Sequence, residues 1–186
     1  MLYVQQSLAP DEELLYVGKF HWFYDVQAVM NLVWGVVFAI SLLVAFATLS
    51  YELPENMSEY LIVGEIEEGD GWLVIVRKLH PAIKLFSLLI FLMGIVKFAQ
   101  MIVIKVTTEI VVTNNRIIYK RGLVARNIGE MSIDRIESIS VTQSIWGRIF
   151  DFGQLFIHGM GVGELRLPNL AEPLKFRRAL EKARSG

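Results

Sequence analysis

VQAVMNLVWGVVFAISLLVAFATL, residues 26–49, contains no charged side chain, and its only polar ones are Gln27, Asn31, Ser41 and Thr48. At about 1.5 Å per residue, a helix of this length covers the roughly 30 Å of bilayer hydrocarbon with residues to spare. Buried helices of soluble proteins rarely run so far without a charge, so the stretch reads as a transmembrane helix. A cleavable signal peptide fits poorly. The run lies far from Met1, and the segment before it (Asp11, Glu12, Glu13, Lys19, Asp25) is acidic where a signal peptide is basic.

A second apolar stretch, Ile83–Ile104, contains Lys84 near its start and Lys97 well inside, with Gln100 one turn on. The uncharged residues between the two lysines are too few to cross alone. The span therefore needs Phe98–Ile104 as well, with Lys97 extending its ammonium toward the nearer interface. The sequence thus divides into an N-terminal segment (1–25), a first span (26–49), a connecting loop (50–82), a second span (83–104) and a C-terminal domain (105–186).

Composition agrees with this division. Hydrophobic residues make up 54% of the 186 and the mean hydropathy is +0.46, above the usual apolar share of a soluble domain. A net charge of −1 excludes a polyanion or a nucleic-acid sponge, and the lack of cysteine excludes disulfides, thiolate metal sites and thiol catalysis. The charges are unevenly distributed. Glu52, Glu55, Glu59, Glu65, Glu67, Glu68 and Asp70 crowd the connecting loop, whereas Lys105, Arg116, Lys120 and Arg121 follow the second span closely. The excess of Lys and Arg on the cytoplasmic side of spans places both termini in the cytoplasm and the acidic loop outside. Within that loop, apolar runs Tyr60–Val63 and Trp72–Val76 flank a glycine-rich acidic centre, which predicts a β-hairpin with Trp72, Val74 and Val76 on one apolar face. The acidic centre lacks the ligand spacing of an EF-hand and reads as a solvated face.

Beyond the second span the pattern becomes β-rich. Val106–Thr113 and Arg116–Lys120 predict two strands around an Asn114-Asn115 turn tolerant of positive φ, with Arg121-Gly122 as the next turn. Further strands are predicted at Leu123–Ser132, Ile136–Gln143, Gln154–His158 and Glu164–Leu167. Ser144 can cap a short helical turn through Trp146, Ile149 and Phe150, ended by Gly153. Pro173 suits the first turn of a helix running to about Arg184, with Phe176, Leu180 and Ala183 on one face. Leu14–Val17 has strand character and could complete the sheet from before the first span. The whole is an α+β membrane protein, two transmembrane helices plus an antiparallel β-barrel or sandwich closed by a C-terminal helix.

TTEIVVTNNRIIYKRGLVARN (107–127), IDRIESISVTQSIWGRIFDFG (133–153) and LRLPNLAEPLKFRRAL (165–180) together resemble the bacterial pleckstrin-homology (PH) domain of the DUF304, or bPH_2, membrane protein family. Asp11–Val17 and His21-Trp22 resemble the segment that such proteins place before their first span, and the long connecting loop departs from the short one common among them. The resemblance implies an antiparallel sheet closed by a C-terminal helix, without an enzyme active site.

The residues themselves offer little chemistry. His21, His80 and His158 lie in none of the zinc-ligand spacings, and Gly159-Met160-Gly161-Val162-Gly163 sits between predicted strands, where a hairpin rather than a nucleotide loop belongs. No cofactor and no catalytic residue is expected. Arg116, Lys120, Arg121, Arg126, Arg135 and Arg148 are candidates for a basic face toward lipid headgroups or a partner, each juxtamembrane cation contributing about 1 kcal/mol near anionic lipid. Nucleic acid is not an expected partner, since no aromatic platform interleaves with these charges. Asn31, Lys97 and Gln100 are candidate polar contacts within the membrane.

The expected function is a non-enzymatic, membrane-anchored PH-like scaffold or adaptor at the bacterial inner membrane. It would bind protein partners or self-assemble, as a homo-oligomer or a membrane-protein hetero-complex with the outer loop contributing. The alternatives are a module sensing anionic lipid and an accessory subunit of a transport or export complex. The topology is testable because the chain is free of cysteine. A cysteine at Glu67 should react with a membrane-impermeant thiol reagent on intact cells, and one at Asn127 only after lysis; the reverse pattern would overturn the charge argument.

Overall fold

The structure is a computed structural model that describes residues 4, 7–54, 57, 60–64, 67, 69–122, 127–161 and 163–185. Backbone contacts divide the chain into two compact units, one of residues 1–26 and 101–186 and one of residues 27–100. The second unit is therefore an insertion in the first.

Two long helices carry the apolar stretches, α1 (Trp22–Glu52) and α3 (Pro81–Thr107). Both are long and apolar enough to cross a membrane. Large side chains such as Phe38, Ile40, Phe86, Leu89 and Met93 are exposed, while the residues buried on the two helices include Ala28, Gly35, Ala39, Ser87 and Gly94. That is the inverse of a helix pair stabilised in water, and it is the pattern expected where lipid is the solvent. Backbones touch at Gly35 and Gly94, where a Cβ on either would lie 2.9 Å from the other's Cα. Ser87 Oγ donates to the Ala39 carbonyl at 2.9 Å.

Between the helices the predicted hairpin is absent among the described residues. Trp72–Lys78 forms a short helix, α2, and among the described residues the strand-like contact is reduced to a single bridge between Ile62 and Leu79. The apolar residues explain the correction. Ile75 and Leu79 stand four apart, one helical turn, and both are buried against Ala47 and Ile62. Helical geometry separates the three residues assigned to one apolar strand face: Trp72 and Val74 are exposed, whereas Val76 packs on that cluster. Arg77 and Lys78 fall in the last turn, where cations suit the helix dipole, and Lys78 pairs with Asp70 at 2.7 Å.

The other unit is a β-sandwich. One sheet has the order β1 (Leu14–Gly18), β2 (Glu109–Thr113), β3 (Arg116–Arg121), β4 (Asn127–Ser132), and all its pairs are antiparallel. The other runs β5 (Ile136–Thr142), β6 (Phe152–Gly159), β7 (Gly163–Arg166), with β8 (Leu170–Ala171) also paired to β6. Among the described residues only an isolated bridge, Phe20 to Leu170, joins strand-like backbone of the two sheets, so the domain is a sandwich and not a closed barrel. A helix α4 (Ile145–Ile149) lies between β5 and β6, and α5 (Pro173–Ser185) closes the sandwich. Between the sheets lie Ile110, Val112, Ile117, Leu155, Ile157 and Leu170, with Phe176 and Leu180 of α5. Val111 and Ile118, on the other face of the first sheet, are buried with Val4.

Local chemistry shifts several predicted boundaries. Helix α3 continues through Val106 and Thr107, expected in the first strand, and the Thr107 and Thr108 hydroxyls donate back to the Val103 and Ile104 carbonyls. The Asn114-Asn115 turn needs no positive φ, because Thr113 Oγ1 accepts from the amides of Asn115 and Arg116. Helix α4 is capped by Ser144, whose Oγ accepts from Gly147 N at 3.0 Å, but Asp151 at φ 55°, not Gly153, follows its end. Gly153 sits in β6, where a Cβ would come within 2.8 Å of the Thr142 carbonyl. Residues 123–126 of the predicted fourth strand lie outside the described residues.

Phe176 is fully buried and meets Tyr16 of β1 edge-on at 5.6 Å, so it binds the closing helix to the strand that precedes α1. Phe176→Ala should lower the unfolding free energy of the purified full-length protein by about 3–5 kcal/mol, the usual cost of deleting a buried phenylalanine side chain. An unchanged denaturation midpoint would refute this role for α5.

Candidate functional site

Two of the candidate basic residues, Arg116 and Lys120, are paired with carboxylates of the domain itself. Arg116, at the start of β3, is bound within the fold. Its Nε and Nη2 donate to the two oxygens of Glu12 at 3.0 Å each, Nη1 donates to Glu130 at 2.9 Å, and Nη2 also reaches the Ser7 carbonyl. Lys120 lies 3.5 Å from Glu109, a carboxylate that also accepts from Val4 N. Arg121, Arg135 and Arg148 are exposed, on β3, on the 3-10 turn before β5 and on α4. Arg126 lies outside the described residues.

Glu12 is the polar centre missed in the sequence. Its side chain is almost wholly buried, and it accepts from Thr113 Oγ1 at 2.7 Å, Ala9 N at 3.1 Å and the Arg116 guanidinium. Burial pushes its pKa up. The bonds from Thr113, Ala9 and Arg116, with the Arg116 charge, outweigh burial and hold the carboxyl below its ordinary value. Beyond charge count, the sequence signal was weak: Glu12 is one of three adjacent acids, and its partner lies 104 residues away.

At the start of α1 and the end of α3, Asp25 accepts from Lys105 at 2.5 and 2.6 Å. Tyr24 Oη donates to the Met101 carbonyl at 3.2 Å. The ring of Phe23 stacks on Phe152 of β6 at 5.2 Å, and buried His21 also meets Phe152. Both helix-start histidines act as caps: His21 Nδ1 accepts from Phe23 N and His80 Nδ1 from Ala82 N. The third, His158, faces Glu164 across the β6–β7 hairpin at 3.9 Å. Among the described residues no group of His, Asp or Glu is placed to hold a metal ion.

Of the polar residues expected to act within the membrane, Asn31 donates to the Gln27 carbonyl of its own helix, while Lys97 and Gln100 are exposed on α3. The close contact between the helices is made by Gly35 and Gly94, assisted by Ser87. Its sequence signal was the Gly35-x-x-x-Ala39 spacing of small residues. In the connecting segment, Arg77, Lys78 and Lys84 line a cleft of 390 Å³ with Val63, Val74, Leu79 and Pro81. Lys84 Nζ donates to the Arg77 carbonyl there.

Glu12 contributes stability above the ordinary carboxylate range and loses it as pH falls through its depressed pKa. Thermal unfolding of the detergent-solubilised protein should therefore shift to lower temperature below about pH 4, and Glu12→Gln should flatten part of that dependence. Arg116→Ala should cost about 2–3 kcal/mol at neutral pH, less than a fully buried pair because part of Arg116 stays in water. Equal acid sensitivity in wild type and Glu12→Gln would refute the assignment.

A family model described as "Bacterial PH domain" (bPH_2) matches residues 13–184, from just before β1 to the end of α5. Comparison with curated proteins and with solved structures finds no match.

Proposed function

The chain belongs to the bacterial PH-domain family, and from that premise we propose that it is a non-enzymatic scaffold, anchored by α1 and α3 in the bacterial inner membrane. One observation carries this reading: the two long helices are inserted within the sandwich, between β1 and β2. A β-domain joined to a span by one linker can drift from the bilayer. This one enters and leaves the membrane through its own sheet, and Asp25–Lys105 ties the two passages together. Such a double tether keeps the domain at the membrane, which suits the recruitment of partners better than the capture of a diffusing solute. The basic residues after α3 and the acidic connecting segment support cytoplasmic termini.

Protein partners have an available mode of attachment. Among the described residues, β4 pairs only with β3 and β5 only with β6, so each sheet ends in an edge strand. Edge strands accept an added strand through main-chain hydrogen bonds. Ile128 of β4 is 40% exposed on such an edge. A photo-crosslinking residue at Ile128 of the full-length protein should give a discrete larger adduct in native membranes, while one at exposed Arg178 of α5 should not. Adducts at neither position, with a strictly monomeric particle in mild detergent, would overturn the scaffold reading.

A further inference from the structure

Helix α4 is rigidly held yet carries its apolar side chains outward. Ser144 caps it, and Gln143 Nε2 donates to the carbonyls of Gly147 and Phe152 at 3.2 and 3.1 Å. Gly147 forms its inner side, so close to β6 that a Cβ would lie 2.5 Å from the Phe152 carbonyl. With its inner side this tight, the large residues face outward: Ile145 is 78% exposed, Trp146 63%, Ile149 62% and the following Phe150 39%. An apolar group of this kind on an ordered turn marks a surface that is covered in use.

We propose that α4 inserts into the headgroup–acyl boundary of the bilayer that α1 crosses, as a second, non-spanning point of membrane contact. The inference rests on the reading of α1 as a span. Its location argues for lipid as the occupant. Phe150 meets Trp22, the first residue of α1, edge-on at 5.7 Å, and Trp146 stacks on Phe150 at 6.1 Å. Trp22 lies one turn before Asp25, whose pairing with Lys105 leaves a charge pair at the start of the apolar run. The apolar group of α4 is thus continuous with the point where the chain passes from water to hydrocarbon. Trp and Tyr rings favour that level, where one end of the ring is apolar and the other wet. Arg148, exposed on the same turn, supplies a cation for headgroup phosphates.

The test uses the full-length protein in phosphatidylcholine–phosphatidylglycerol vesicles, with single cysteines introduced into the cysteine-free chain and labelled with an environment-sensitive fluorophore. Ile149→Cys reports on α4, Leu89→Cys on the exposed side of α3 and Glu137→Cys on exposed β5. Vesicles contain lipid with a nitroxide quencher either near the headgroup or near the acyl terminus. The expected result is loss of Ile149 emission with the shallow quencher, loss of Leu89 emission with the deep one, and little loss at Glu137. If Leu89 is quenched and Ile149 behaves like Glu137, α4 does not enter lipid, while the anchoring survives. If Leu89 escapes the deep quencher, the anchoring reading fails and this inference fails with it. A blue-shifted Ile149 label that neither lipid quenches would mean that protein covers α4, and would also overturn the proposal.

Discussion

The pairing of β1 with β2 is the constraint on which the rest depends. Val17 stands opposite Val111 and Gly18 opposite Ile110, across an interval that contains both long helices. Closing so long a loop costs conformational entropy, though the cost grows only slowly with length. Ordering within the insertion reduces what remains, because Gly35 against Gly94 already brings the two helices into contact. The sandwich core then depends on the returning strand: Tyr16 of β1 packs beside Phe176, and α5 covers strands from both sheets. Long-range contacts of this kind form late, so the insertion is expected to be in place before the sandwich closes.

The two units meet the demand for specificity with opposite chemistry. In the sandwich, the β1–β2 end is fixed by a buried carboxylate with its donors from Ala9, Thr113 and Arg116. A buried ion pair is a poor source of net stability, but a fully satisfied one disfavours any register that would strand Glu12 without partners. In the helix pair, the described contact relies on backbone approach at small residues and a single Ser87 hydroxyl. Hydrophobicity cannot select between helix faces when the surrounding solvent is itself apolar, so close packing must do so.

These differences explain what could be read in the sequence. The long helices, most strands and the Ser144 cap announced themselves through local signals: uncharged length, β-branched runs and a capping residue before a short apolar turn. Trp72–Val76 misled because a run of β-branched and aromatic residues satisfies strand propensity while Ile75 and Leu79 keep helical spacing, and tertiary burial of those two decided the outcome. β8, two residues long, has no period to detect. The Glu12–Arg116 pair escaped for another reason. Its members are ordinary surface residue types, and only the β1–β2 register brings them together.

That same register alters how charge near the membrane can be used. Counting Lys and Arg after α3 suggested a cationic face, yet Arg116 and Lys120 are paired to carboxylates within the domain, and the exposed Arg121, Arg135 and Arg148 sit on three different elements. Scattered cations can bias topology, because that depends on their number near a span. Reading a particular headgroup requires convergent donors, and those of Arg116 and Lys120 are turned to carboxylates of the domain itself. Around the start of α1 the resources are instead aromatic rings and a rigid apolar turn, with Arg148 in a supporting place. Contacts of that kind distinguish depth more sharply than lipid identity. In the proposed role the domain would therefore read its position relative to the bilayer, leaving selectivity to whatever protein pairs with its sheet edges.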